Sequence, residues 1–315
     1  MPNKLLLVVP CYNEEEILLN SNEQLSSALK TWISDGLIDA QSRIVYVNDG
    51  SKDATWSIIE KLSLSNQHVL GLKLSKNFGH QNAVLAGHFK FKNDFDIFIS
   101  IDADLQDDIM VMKEMVEKYQ AGNEIVYGVR EDRSTDSFFK RFTAEVFYKI
   151  MLKMGIPLVF NHADYRLMSQ KVLTELDNYK EFNVFLRGIV PTLGFKSDNV
   201  YYKRLKREAG ESKYPIRKMI SFAWNGITSF SNYPMRMVLW FGIFNFILAV
   251  FVGIYVLASM FRGQTVSGWV SIVLPMAYFS GATLIAIGLL GEYLGKIYEE
   301  VKARPRYIIE QVIGL

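Results

Sequence analysis

Apolar runs and amphipathic stretches alternate along the first 210 residues of the chain. Short β-rich runs at 4–9 (KLLLVV), 43–48 (RIVYVN), 69–74 (VLGLKL), 96–101 (DIFISI) and 124–129 (EIVYGV) predict buried strands. Between them, 14–33, 53–64, 79–91 and 108–121 carry their apolar residues at helical spacing. This is the rhythm of an α/β fold, a mostly parallel sheet with helices on both faces. In such sheets ligands sit beyond the carboxyl ends of the strands. The polar clusters PCYNEEE, NDGSKD and DADLQDD each follow a strand directly, so three clusters are expected at one edge.

The last third changes character. No charged residue occurs between 237 and 261, or between 263 and 291. At ~1.5 Å rise per residue, about 20 residues cover the ~30 Å hydrocarbon layer of a bilayer. Two transmembrane helices are therefore predicted, at about 237–261 and 269–291. The mixed apolar and aromatic stretch 215–234, bounded by Pro215 and Pro234, reads as an amphipathic helix lying in the interface. The expected division is a domain at 1–214, the interfacial helix at 215–234, and a membrane domain with a tail at 235–315. Basic residues gather at 203–218 and at Lys296, Lys302, Arg304 and Arg306, while the connector between the spans carries only Arg262. Basic flanks favour the cytoplasmic side, which puts the large domain and both termini there, on a cell membrane crossed twice. Gly242, Gly253, Gly281, Gly288 and Gly291 would allow close helix packing in a homo-oligomer.

Charge and cysteine content narrow the classes. With 35 basic and 33 acidic residues, the chain has no bulk charge with which to bind nucleic acid. Cys11 is the only cysteine, which excludes an internal disulfide and a thiolate cluster.

Asp102 and Asp104, one residue apart past a strand end, can face one space, where they repel unless a cation or proton intervenes. Hard oxygen ligands suit Mg²⁺ or Mn²⁺, and Gln106 could add a neutral oxygen. Such a triplet equally fits an acidic helix start, and Asp107 and Asp108 are read that way, for a helix beginning near 107. Asp49, at the end of VNDG, is expected free to accept from a ligand such as a nucleobase N–H, with Gly50 making the turn and Ser51 or Asp53 capping the next helix. No G-x-G-x-x-G or P-loop pattern is present, so phosphates would be held by metal and basic side chains. His68, His80, His88 and His162 have no zinc spacing, and ordinary structural roles are expected of them. The aromatic, basic stretch around Phe138, Phe139, Phe142, Phe147 and Tyr148 fits interfacial insertion and packing on the sheet equally well.

VVPCYNEEE, VNDGSKD, NFGHQNAVLAG, DADLQDD, YGVREDR, ADYRLMS and GESKYP, in this order and followed by two apolar spans, resemble the family 2 glycosyltransferases of the dolichol-phosphate mannose synthase and bactoprenol glucosyltransferase type. The resemblance covers essentially the whole chain. It implies a GT-A fold, a nucleotide-sugar donor, with UDP-glucose first by analogy, Mg²⁺ or Mn²⁺, a polyprenyl-phosphate acceptor such as undecaprenyl phosphate, and inversion at the anomeric carbon. Carried over to this sequence, Pro10, Tyr12, Glu14, Asp49, Asp102 and Ala103 would bind the nucleotide sugar. Asp102, Asp104 and Gln106 would hold the metal. Arg130, Arg133, Arg207, Ser212 and Lys213 would meet donor or acceptor phosphates. Asp164 and Arg166 would stand at the reacting centre, and Asp102, Asp104 and Lys213 would act with them. Relatives commonly carry proline soon after the metal motif, whereas here Asp108 leads into Ile109, which puts the start of that helix in doubt.

A physical reason joins the two halves of this reading. A prenyl chain buries about 0.8 kcal/mol per CH₂ in lipid, so an enzyme acting on it is better placed at the bilayer than made to extract it. The acceptor phosphate, with a second pKa of roughly 6, is already largely ionised at neutral pH, so Asp164 would position rather than deprotonate. Other readings are a catalytically silent nucleotide-sugar-binding anchor or partner subunit, and a transferase for mannose or an amino sugar. A processive polysaccharide synthase is disfavoured by the few spans and the lack of a Q-x-x-R-W motif.

Overall fold

β1 (Leu5–Cys11) is buried along its whole length, as a central strand covered on both faces must be. The computed structural model describes residues 2–131, 162–181, 185–203, 233–262 and 270–315. Beside β1 run β2 (Arg43–Asn48), β3 (Val69–Leu74) and β4 (Ile97–Ser100), all parallel to it or to one another. The sheet is extended by β5 (Ile125–Arg130), β6 (His162–Ser169), β7 (Ser197–Tyr202) and β8 (Ile309–Ile313), in the order β7-β5-β6-β4-β1-β2-β3-β8. Only β6 and β8 run against their neighbours.

The helices of this unit are α1 (Leu18–Ser34), α2 (Thr55–Ser65), α3 (His80–Lys90), α4 (Val111–Gln120), α5 (Gln170–Leu176) and α6 (Leu186–Thr192). On α1, Leu18, Leu25, Leu29 and Trp32 fall on one face and meet Leu5, Leu7 and Val9 in the core. Each such side chain contributes about 1.5–3 kcal/mol on burial. The opposite face of β1 packs on α3, where a Cβ at Gly87 would lie 2.5 Å from a Val8 methyl. Glycine there lets α3 lie close on the sheet.

The five strands and four helices expected over the first 130 residues are present with small shifts at their ends. The helix after the acidic cluster is one exception. It starts at Val111, not near 107, because the chain first makes a turn through Leu105, which takes a left-handed φ of 44°.

The second unit, Ile216–Ala303, contains α7 (Tyr233–Phe261) and α8 (Val270–Val301), of 29 and 32 residues. α7 contains the run 237–261 and begins four residues before it, and α8 contains 270–291 of the second run and continues to Val301. Large apolar side chains such as Trp240, Phe244, Phe246, Phe251, Ile272 and Ile285 are exposed on them. Side chains at 252 and 253, among others, lie outside the description, and counted over the described residues alone no helix is long and apolar enough to cross a membrane. Residues 215–232 of the expected interfacial helix lie outside the described residues, as do Phe138–Tyr148, and Tyr233 and Pro234 already belong to α7.

The carboxyl terminus departs from the expected division. Arg304–Leu315 belongs to the first unit and not to the second, because β8 pairs antiparallel with β3 and closes the edge of the sheet. Lys73 pairs with Glu310 at 3.0 Å, Arg43 donates to the Gly314 carbonyl at 2.9 Å, and Ile313 fills the space over Gly71. The strand IEQVI carries only two consecutive apolar residues, Val312 and Ile313, and lacks the length that made the earlier runs readable as strands.

Candidate active site

Six strands end at one rim, at Cys11, Asn48, Leu74, Ser100, Arg130 and Tyr202, and the antiparallel β6 begins there. That reversal brings Asp164 to the acidic cluster. Ser100 pairs with Arg166, and its hydroxyl donates to the Asp164 carbonyl at 2.6 Å.

The turn at Leu105 sorts the acidic residues. Asp102 and Asp104 stay half-buried at the rim, while Gln106 and Asp107 point inward, 6% and 3% exposed. Partial burial raises the pKa of Asp102. His80 opposes the shift, and the carboxylates of Asp107, Asp164 and Asp104 add to it. The backbone N–H of Gln106 donates to Asp104 at 3.4 Å and helps to orient it. Two neighbouring, half-buried carboxylates supply the hard oxygen donors that a divalent cation takes. Among the described residues no group of three His, Cys, Asp or Glu side chains could hold a metal on its own. Gln106, the expected neutral oxygen donor, is buried beside this pair.

Asp164 is the most strongly compensated carboxylate. Arg166 donates to one oxygen at 2.6 Å, and Arg187 donates to both, at 3.3 and 3.1 Å. Burial would raise its pKa, but Arg187, then Arg166, then His80 overcome this and hold the carboxyl far below the usual carboxylate range. Arg166 is fully buried, whereas Arg187 is 32% exposed and reaches the open side. The Leu186 N–H donates to the Gln81 side chain at 3.1 Å, which ties α6 to the start of α3.

Several expected roles are changed. Asp49 is not free: its two oxygens accept from the N–H groups of Phe78 and Gly79, at 2.7 and 2.9 Å, and the residue is 3% exposed. Gly50, at φ 65°, lies so close to Lys76 and Asn77 that a Cβ would meet their backbone at 2.4–2.5 Å. Of the two expected caps of α2, Asp53 accepts from the N–H and hydroxyl of Thr55, the first helical residue, and from the Glu15 N–H, although the N-cap position itself is Ala54, while the Ser51 hydroxyl accepts from the Asn13 N–H. Asp107 is not a dipole partner of α4. It is buried against Tyr202, whose hydroxyl donates to it at 2.6 Å, and Arg130, which donates at 3.2 Å. Arg130 also donates to the Tyr202 hydroxyl at 3.3 Å, so it is held within the fold. Asp108 accepts from the Met110 N–H and stays at the helix approach.

The first loop behaves as expected in position. Pro10 is buried at the end of β1, Tyr12 is 41% exposed, and the N–H of Glu14 donates to Thr55 at 2.9 Å. Ala103 is buried, and its carbonyl accepts from Ser21 at 2.6 Å. Arg133, Arg207, Ser212 and Lys213 lie outside the described residues. Sequence reasoning missed Arg187, Tyr202 and His80. Arg187 carried no signal beyond a lone arginine in FLRG, and His80 stood in NFGHQNAVLAG without a partner in sequence.

A mostly parallel α/β sheet whose rim gathers two half-buried carboxylates and an arginine-bound third defines an α/β protein with its charged side chains collected at the strand ends. Residues 6–177 match Glycosyl transferase family 2, and the chain belongs to that family. It is a glycosyltransferase with a GT-A-like fold. The chain is 51% identical over 306 residues to an uncharacterized glycosyltransferase, YkoT, of Bacillus subtilis (strain 168), with 97% of this chain and 91% of that protein covered. It is 40% identical over 312 residues to the SfII prophage-derived bactoprenol glucosyl transferase of Shigella flexneri, covering 98% of each. Among solved structures, glucosyl-3-phosphoglycerate synthase from Mycobacterium tuberculosis with Mn²⁺ and UDP-glucose is similar at a TM-score of 0.45 and 14% identity, over 72% of this chain and 77% of that one.

Proposed function

We propose that this glycosyltransferase moves a monosaccharide, glucose from UDP-glucose first, from a nucleotide sugar to a polyprenyl phosphate at a membrane, with inversion. The observation that carries the reading is the arginine-bound Asp164 beside the half-buried carboxylates Asp102 and Asp104. The full-length 40% identity to bactoprenol glucosyl transferases supports the acceptor class.

Asp102 and Asp104 are the residues that would hold Mg²⁺ or Mn²⁺. When bound, such an ion offsets charge on the departing diphosphate. The acceptor phosphate oxygen forms a bond to the anomeric carbon while the bond from that carbon to the diphosphate oxygen breaks, and the electron pair leaves with the nucleotide. Asp164 is a weak base, because two guanidinium groups hold its carboxyl far below the usual range and already donate to its oxygens, which supports a positioning role. It aligns Arg187, whose exposed edge suits an incoming phosphate. Arg133, Arg207, Ser212 and Lys213 are the further candidates for phosphate contacts, and Pro10, Tyr12, Glu14 and Ala103 for the nucleoside.

The membrane part of the proposal is supported by α7 and α8. Their exposed apolar side chains suit a lipid environment, and each helix exceeds the about 20 residues a crossing needs. Because the chain leaves the first unit at 215 and rejoins its sheet as β8, any crossing must be made an even number of times. Two crossings, with the sheet and both termini in the cytoplasm, satisfy that condition.

The test is incubation of the purified full chain in detergent with undecaprenyl phosphate, Mn²⁺ and a panel of nucleotide sugars, with the lipid product identified by mass spectrometry. A lipid-linked monosaccharide is expected, and failure with every donor overturns the proposal.

A further inference from the structure

His80 stands between the two functional groupings of the rim. Its Nε2 lies 3.6 Å from Asp102 and 3.9 Å from Asp164, too far for a hydrogen bond to either, and its side chain is 43% exposed. The position is built rather than accidental. On one side, Asp49 holds the N–H groups of Phe78 and Gly79. Gly79 takes φ 92°, which is disfavoured for other residues, and lets α3 begin directly at His80. On the other side, Gln81 accepts from Leu186, and the Asn82 side chain donates to the Phe78 carbonyl at 2.8 Å. The residues flanking His80 in sequence are therefore all fixed, and the imidazole is presented to the gap.

We infer that His80 contacts the hydroxyl groups of the donor's sugar and so helps to determine which monosaccharide is accepted. The inference rests on the donor-to-lipid reading above. In that reading the diphosphate belongs with Asp102 and Asp104 and the acceptor phosphate with Asp164 and Arg187, so the sugar occupies the interval between them. A carboxylate at neutral pH only accepts hydrogen bonds, whereas an imidazole supplies an N–H as well, and a sugar hydroxyl needs both kinds of partner. A polar group aimed at one hydroxyl discriminates against a sugar that lacks or inverts it. Asp49 and Gln81 act on this contact only through the backbone, as positioning residues.

The experiment compares UDP-glucose with UDP, each with Mn²⁺, by calorimetry on the full chain in detergent. In His80→Ala the dissociation constant for UDP-glucose is expected to rise about tenfold, with that for UDP changed less than twofold; unchanged UDP binding also shows that the variant is folded. His80→Asn, which keeps an N–H donor, is expected to recover part of the loss. Equal weakening of both ligands would assign His80 to the nucleotide or metal end and overturn the inference, as would no weakening of either. If the unaltered chain binds neither ligand, the donor reading itself fails and takes this inference with it.

Discussion

Arg187 grips Asp164 through two nitrogens, at 3.3 and 3.1 Å, although the residues lie 23 positions apart and on different elements. With Arg166 on the same carboxylate, the group stays ionised across the whole working pH range. Its folded pKa lies below the unfolded value, so the ion pairs stabilise the protein above pH ~4 and are lost as pH falls below that.

Asp164→Asn is therefore expected to lower sugar transfer by on the order of 100-fold at every pH from 6 to 9, with no recovery at high pH. The profile of kcat/KM against pH checks this, and recovery at high pH would assign Asp164 as a proton acceptor. Asp164→Ala also leaves Arg166 buried without its partner, and is expected to cost about 3–5 kcal/mol of stability.

Removing the divalent cation tests the other half of the rim. A chelator is expected to abolish transfer, and Mn²⁺ or Mg²⁺ in excess to restore it. Asp102→Asn and Asp104→Asn together should give a loss of on the order of 100-fold or more that added metal does not restore. Unchanged transfer in either case would contradict the role given to this pair.

The Tyr202 hydroxyl is, among the described residues, one of two side-chain donors to the buried Asp107. Tyr202→Phe is expected to cost about 1–3 kcal/mol, and Arg130→Ala more, because it leaves the carboxylate without its countercharge. Thermal unfolding in detergent measures both. Equal, negligible effects would show that the network contributes little.

His88 is fully buried, its ring edge-on to Phe98, with neither ring nitrogen hydrogen-bonded among the described residues. Burial, aided by the charge of Arg166, lowers its pKa to about 3. The unfolded chain takes up this proton below pH ~6.5 and the folded one does not, so stability falls between pH 6.5 and 3, by up to ~1.4 kcal/mol per pH unit. His88→Leu is expected to flatten the fall in melting temperature between pH 7 and pH 5.

Cutting the chain after Ala303 removes β8 and uncovers the edge of β3 and the space over Gly71. A less stable, aggregation-prone protein is expected, measured by melting temperature and light scattering. Unchanged behaviour would mean that the terminal strand is not part of the fold's support.

What the sequence determined by itself was whatever is encoded by local period and order. The buried runs of β1 to β5, the helical faces between them, the apolar stretches of α7 and α8, and the acidic cluster after β4 each depend on residues close together in the chain. Gly50 and the adjacent Asp49 marked a turn, and Asp102 and Asp104 a candidate cation pair, for the same reason. Only the tertiary structure decided how side chains far apart in sequence share charge. Asp107 pointed inward because Leu105 turned the chain, and Arg130 and Tyr202 then met it from two other strands. Asp49 was occupied by backbone from the next strand's loop, and Asp164 was bound by an arginine from a helix that no periodicity tied to it. The short β8 became a strand because β3 offered an unpaired edge. An ion pair or a sheet edge is satisfied by whatever the fold brings near, and that proximity is set by strand order and direction, which pattern along the chain does not record.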